Sequence, residues 1–225
     1  FGDDHSSAQD ALFDQLFRRH LQNVYRLLGE TGPSALNQPI TQTERRSIHT
    51  QPTGFLPVKV DGRRTYFEWI NAGQYVSGSE RGTMTLVTQG LLRGAAFGFD
   101  RNRLLLRADT AQRARDDLAD IDELRVRFLE PPNVEIRIAR LKEAAPIATL
   151  FRNGKPAAGV AIEVAVDRIL ELAIPSGDLG VKTPDPIHFF FEAIHSGQSV
   201  DRAPREGAIE TKVPSSDFER IMWQE

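Results

Sequence analysis

The sequence predicts a mainly β protein: an antiparallel β-sandwich of jelly-roll or carbohydrate-binding-module type, preceded by one amphipathic α-helix. Two observations carry this expectation. From Phe55 onward, short alternating apolar runs are separated by Gly, Pro, Asn and Asp turn signals. Ahead of them, one stretch shows sustained helical periodicity.

The helix runs from about Ala8 to Leu28. Phe13, Leu16, Phe17, Leu21, Val24, Tyr25 and Leu28 follow the i, i+3, i+4, i+7 rule of one buried face, and Arg18, Arg19, Gln22, Asn23 and Arg26 fill the other. Ser6 and Ser7 are candidate N-caps, Asp10 suits the helix dipole near the first turn, and Gly29 followed by Pro33 forms a stop signal. Such a stripe must be covered, so residues 1–33 are expected to be the helical tail of an upstream domain. Residues 34–54, with Pro, Ser and Thr but no periodicity, read as an extended linker. The sandwich then occupies 55–225.

Within it, "FLPVKV" and "TYFEWI" flank Asp61-Gly62, a favoured tight-turn pair. "TMTLVTQ" precedes "LLRGAAFGFD" and "RLLLRAD", a predicted hairpin about Arg101-Asn102, and "AQRARDDLAD" is a weak helical insertion. "LRVRFLE" and "NVEIRIARL" alternate cleanly, with Val126, Phe128, Val134, Ile136 and Ile138 inward. Asn153-Gly154 joins "IATLFR" to "KPAAGVAIEVAVD", and "RILELAIP", "PIHFFFEAIH" and "AIETKVP" complete about ten strands.

Composition excludes several function classes. Lys and Arg number 28 against 31 Asp and Glu, a net charge of −3, with no basic stripe, so nucleic acid is not an expected partner. No apolar run reaches the ~18 residues of a membrane-spanning helix. The absence of Cys removes disulfides, thiolate metal sites and Cys nucleophiles, and fits a cytoplasmic location.

Catalytic chemistry is hard to find. Asp3, Asp4 and His5 are adjacent, and three adjacent residues rarely converge on one ion. His188 and His195 are separated by an odd number of residues, which in a regular strand places them on opposite faces. Glu68, Glu130, Glu163, Glu171 and Glu192 lie on strand-like segments, but nothing marks two of them as the flanking pair of a glycosidase. The sequence carries no nucleophile elbow, P-loop or dinucleotide fingerprint.

The stretch "TYFEWINAGQYVSGSERGTM" is different. Tyr66, Trp69 and Tyr75 are interleaved with Glu68, Asn71 and Gln74. Rings that stack on sugar C–H faces, beside carboxylate and amide groups for hydroxyls, suit a carbohydrate. The candidate site is therefore Tyr66, Glu68, Trp69, Asn71 and Tyr75. Alternation pulls Trp69 two ways: it is either the exposed platform or, paired with Phe67, a core residue. Trp223 is a candidate to close the core.

The opening "FGDDHSSAQDALFDQLFRRHLQNVYRLLG" resembles the segment after the last signature region of family-57 glycoside hydrolases, the amylopullulanase and α-amylase-like enzymes. "YFEWINAG", "GTM", "FGFDRNRLLLRAD", "ELAIPSGDLGV", "HFFFEAI" and "REGAIETKVPSSDFERIMW" are similar to the β-sandwich appended to such enzymes, which in turn resembles the glucodextranase C-terminal domain and DOMON-like and family-9 carbohydrate-binding modules. The resemblance implies an upstream (β/α)7 barrel in the same polypeptide, retaining chemistry on α-glucans with its catalytic residues before Phe1, and an accessory sandwich that binds α-glucan or oligosaccharide. The alternative is a non-binding domain that stabilises the barrel. No cofactor is implied. Haem, as in some DOMON-like domains, would need an axial Met or His, and the spacing of Met84, Met222 and the five His does not suggest one.

Overall fold

Alternation along the strands is what builds the core. The computed structural model describes residues 7–38, 49–77 and 90–218. These fall into two compact units, a helical one holding residues 7–38 and a β unit holding the remainder. The segments "TMTLVTQ" and "DDH", together with Met84, Met222 and Trp223, lie outside the described residues.

In the helical unit, α1 spans Ser7–Leu28. It ends where the Glu30 N–H reaches back to the Tyr25 carbonyl (3.0 Å) and Gly29 to that of Arg26 (3.2 Å), which ties down the last carbonyls. Asp14 and Arg18, one turn apart, form an ion pair at 2.8 Å. Much of the apolar stripe faces solvent: Phe13, Leu16, Phe17, Val24 and Leu28 are exposed, with the Phe13 and Phe17 rings stacked at 6.3 Å. Ser34–Asn37 forms a short 3₁₀ turn whose Leu36 carbonyl accepts from Gln22 (3.1 Å).

The described residues of the β unit form twelve strands in two antiparallel sheets. The five-stranded sheet has the order β1(Gly73–Val76), β2(Leu92–Phe99), β3(Arg103–Thr110), β9(Leu170–Pro175), β8(Glu163–Val166). The seven-stranded sheet runs β11(Gln198–Ala203), β10(Pro186–His195), β4(Glu123–Glu130), β5(Val134–Ala139), β6(Ile147–Arg152), β7(Lys155–Pro156), with β12(Ile209–Lys212) also pairing β10. The chain changes sheet after β3, after β7 and after β9, as a sandwich requires. Short helices α2(Ala114–Asp117) and α3(Ser176–Leu179) sit in two of those crossings.

Val126 and Phe128, then Val134, Ile136 and Ile138, are buried as their alternation predicts, and they meet Phe97, Leu104, Leu106, Leu172 and Phe189 in one core cluster. Asn153-Gly154 forms a turn with both residues at positive φ (49° and 74°), the geometry that matches strand twist in a two-residue hairpin. Ser196-Gly197 does the same (51° and 76°) and introduces β11, a strand that the sequence reading did not list.

Leu104, Leu105 and Leu106 are all fully buried, although adjacent strand residues point opposite ways. The cause is a second core on the outer face of the five-stranded sheet. Leu56, Val58, Trp69 and Ala72 cover Ala96, Leu105 and Ala173 there. Residues 49–72 thus act as a strap across that sheet. "FLPVKV" is extended and alternates in burial but pairs with no strand among the described residues, and its Leu56 N–H bonds the Phe99 carbonyl (2.8 Å). Gly98 lies under Leu56, where a Cβ would come within 2.6 Å of its Cδ1. Residues 49–54, assigned to the linker from sequence, join the β unit: Thr50 N–H bonds Gln74 O (2.9 Å), Thr53 N–H bonds Asn71 O (2.9 Å), and Pro52 is buried.

Candidate functional site

"TYFEWI" is not a strand. Phe67–Trp69 is a 3₁₀ turn flanked by Tyr66 (φ −67°, ψ −44°) and Ile70 (φ −62°, ψ −38°), both in the right-handed helical region. Strand alternation therefore fails, and Phe67 and Trp69 do not share a face. Asp61-Gly62 likewise turns no hairpin, because neither flanking segment is a strand, and both its N–H groups bond a side chain instead.

Their acceptor is Glu171, the second residue of β9 and fully buried. Its Oε2 accepts the backbone N–H of Asp61 (3.0 Å) and Gly62 (2.8 Å), and its Oε1 accepts Trp69 Nε1–H (3.0 Å). One carboxylate thereby fixes both ends of the strap's second half. Burial pushes the Glu171 carboxyl above the usual carboxylate range, while the three donors pull it down. The Arg107 guanidinium, itself nine-tenths buried, stands over the Trp69 ring at 5.3 Å from its centre. A signal for Glu171 exists in the sequence: a single carboxylate inside the apolar run "LELAIP" needs donors wherever that strand is covered on both faces.

The five predicted site residues separate accordingly. Trp69 (2% exposed) and Tyr75 (1%) are core side chains, so neither presents a ring face to a ligand, and the platform alternative for Trp69 is corrected to the core one. Tyr66 (73%) is exposed, Glu68 is half-buried, and Asn71 is half-buried against Gly54. Phe67 (79%), which the core alternative paired with Trp69, instead stands beside Tyr66 with the rings edge-to-face at 5.6 Å. The Glu68 carboxylate accepts the Thr65 hydroxyl and the Lys59 N–H (3.4 Å). Ile70 adds a further half-exposed apolar surface.

Elsewhere, Glu130 is exposed, Glu163 pairs with Arg103 (2.9 Å) and Glu192 with Arg127 (2.7 Å). His188 is half-buried and His195 exposed, its Nδ1 2.5 Å from the Asp120 carbonyl. Among the described residues, no group of three or more His, Cys, Asp or Glu could hold a metal ion. The outer face of the seven-stranded sheet carries guanidiniums stacked on rings, Arg137 over Phe151 (4.1 Å) and Arg202 over Phe190 (3.9 Å), with Arg137 also paired to Glu135. No helix among the described residues is long and apolar enough to cross a membrane.

Comparisons with protein-family models, with curated proteins and with solved structures found no match.

Proposed function

We propose that the β unit is an accessory, α-glucan-binding domain, and that Tyr66 and Phe67 form its contact with the sugar chain. The observation that carries this reading is an exposed ring pair on a short helical turn whose root, Trp69, is locked to buried Glu171. Large apolar rings held in solvent on a rigid support suit stacking on pyranose faces, because little ordering entropy remains to be lost on binding. Glu68, on the same turn, supplies an acceptor for a hydroxyl. The resemblance of the chain to the end of family-57 glycoside hydrolases agrees with an α-glucan as the ligand and with a catalytic barrel as partner within one polypeptide.

The test is affinity electrophoresis in gels containing glycogen or starch. The wild-type chain should be retarded, and a Tyr66→Ala/Phe67→Ala double variant should migrate as in a glucan-free gel while melting normally. A wild-type protein that is not retarded would leave the domain with the structural role of stabilising its barrel.

A further inference from the structure

We propose that the cleft between residues 109–113, the turn after β8 and the start of the strap's second half is a hydrogen-bonding subsite for one neutral sugar unit of the chain held by Tyr66 and Phe67. The proposal rests on the carbohydrate reading of that turn. The cleft has a volume of about 570 Å³ and is lined by Arg64, Asp109, Thr110, Gln112, Arg113 and Asp167. That size falls within the ordinary range for small-ligand sites.

Strand register creates it. Strand β9 pairs with β3 only as far as Ala108, so Asp109 and Thr110 run past the end of their neighbour. On the other side, Asp109 is in register with Gly94 of β2. Arg64 enters from the strap, two residues before Tyr66. The Gly62 carbonyl accepts the Arg168 N–H (2.9 Å) and the Ile169 N–H (3.1 Å), which joins the strap to the turn after β8.

The polar groups here are prepared beyond what the fold uses. Arg107 donates Nη2–H to Asp109 Oδ2 (2.7 Å), yet its buried Nε, Asp109 Oδ1 and Thr110 Oγ1 have no hydrogen-bond partner among the described residues. Three such atoms on residues 107, 109 and 110 are an unusual concentration, since buried polar atoms are nearly always satisfied. Asp109 and Thr110 both line the cleft.

The chemistry selects a hydroxylated, uncharged ligand. Asp109 needs a donor, the exposed Arg64 guanidinium supplies donors, and Thr110 can act either way. A hydroxyl donates and accepts at once, so neighbouring hydroxyls of a pyranose serve both. Arg113 is already paired with Asp167, and an anion would meet the Asp109 carboxylate.

The experiment is calorimetric titration of the full chain with maltotriose, alongside glycogen gels, for wild type, Thr110→Val, Arg64→Ala and Tyr66→Ala/Phe67→Ala. Thr110→Val removes a hydroxyl with no partner among the described residues, so its melting temperature should stay level or rise while maltotriose affinity falls about 3- to 10-fold, the effect of one neutral hydrogen bond. Arg64→Ala should weaken binding at unchanged stability. If wild type binds and both cleft variants bind equally well, the subsite is overturned and the ring-pair reading stands. If the ring-pair variant binds normally while the cleft variants do not, the ring pair is overturned and the subsite stands. Binding of neither sugar by wild type overturns both readings. Displacement of maltotriose by inorganic phosphate, lost in Arg64→Ala, would mark an anion site and overturn the ligand class.

Discussion

The Trp69–Glu171 bond makes a prediction whose size follows from the structure. In Trp69→Phe the ring remains, but Nε1–H is gone, and fully buried Glu171 keeps only the Asp61 and Gly62 donors. Loss of a hydrogen bond to a charged buried group costs about 1.5–3 kcal/mol. The smaller ring adds about 1 kcal/mol in lost contacts. The sum, about 2–4 kcal/mol at pH 7, corresponds to a fall in Tm of about 5–12 °C for a domain of this size. The pH dependence supplies the signature. Burial raises the Glu171 carboxyl above its unfolded value, so its contribution to stability is fully present below about pH 4.3 and is lost as pH rises through the folded value. Removing one donor raises the folded value further, and the variant therefore loses more stability over that window than wild type. Urea melts at pH 4.5 and pH 7 should show the destabilisation growing with pH. A difference below about 0.5 kcal/mol, or one equal at both pH values, would refute the role assigned to this bond.

Three further outcomes are expected. Gly73→Ala places a Cβ within 2.5 Å of Phe97 Cζ and 2.7 Å of the Thr50 carbonyl, and equilibrium urea melts should show it less stable by about 1–3 kcal/mol. Deleting residues 1–33 should leave one cooperative thermal transition, whereas deletion to 54 also removes the His49–Glu210 bond (2.8 Å) and buried Pro52 and should lower Tm substantially. Burial holds the His49 imidazole below its ordinary value, so its contribution is present above about pH 6.5 and is lost as pH falls through the folded value; wild-type melts should show this loss and His49→Asn should not.

The sequence by itself determined the fold class and most of the seven-stranded sheet. Strands β4, β5 and β10 have one face on the core, so their side chains alternate, and Asn153-Gly154 marks its hairpin by conformational preference alone. Helix α1 was legible for the same reason, since its period is a local property. The strap was not. Whether "TYFEWI" alternates as a strand or turns as a helix depends on a carboxylate about a hundred positions away, and no local preference encodes that partner. Glu171 draws Trp69 inward, and the turn that results carries Tyr66 and Phe67 outward. Composition thus marked a stretch rich in rings and polar groups, while tertiary hydrogen bonding chose which rings meet solvent. The cleft beside it depends on where β9 stops pairing with β3, a matter of register between distant strands that no single segment contains.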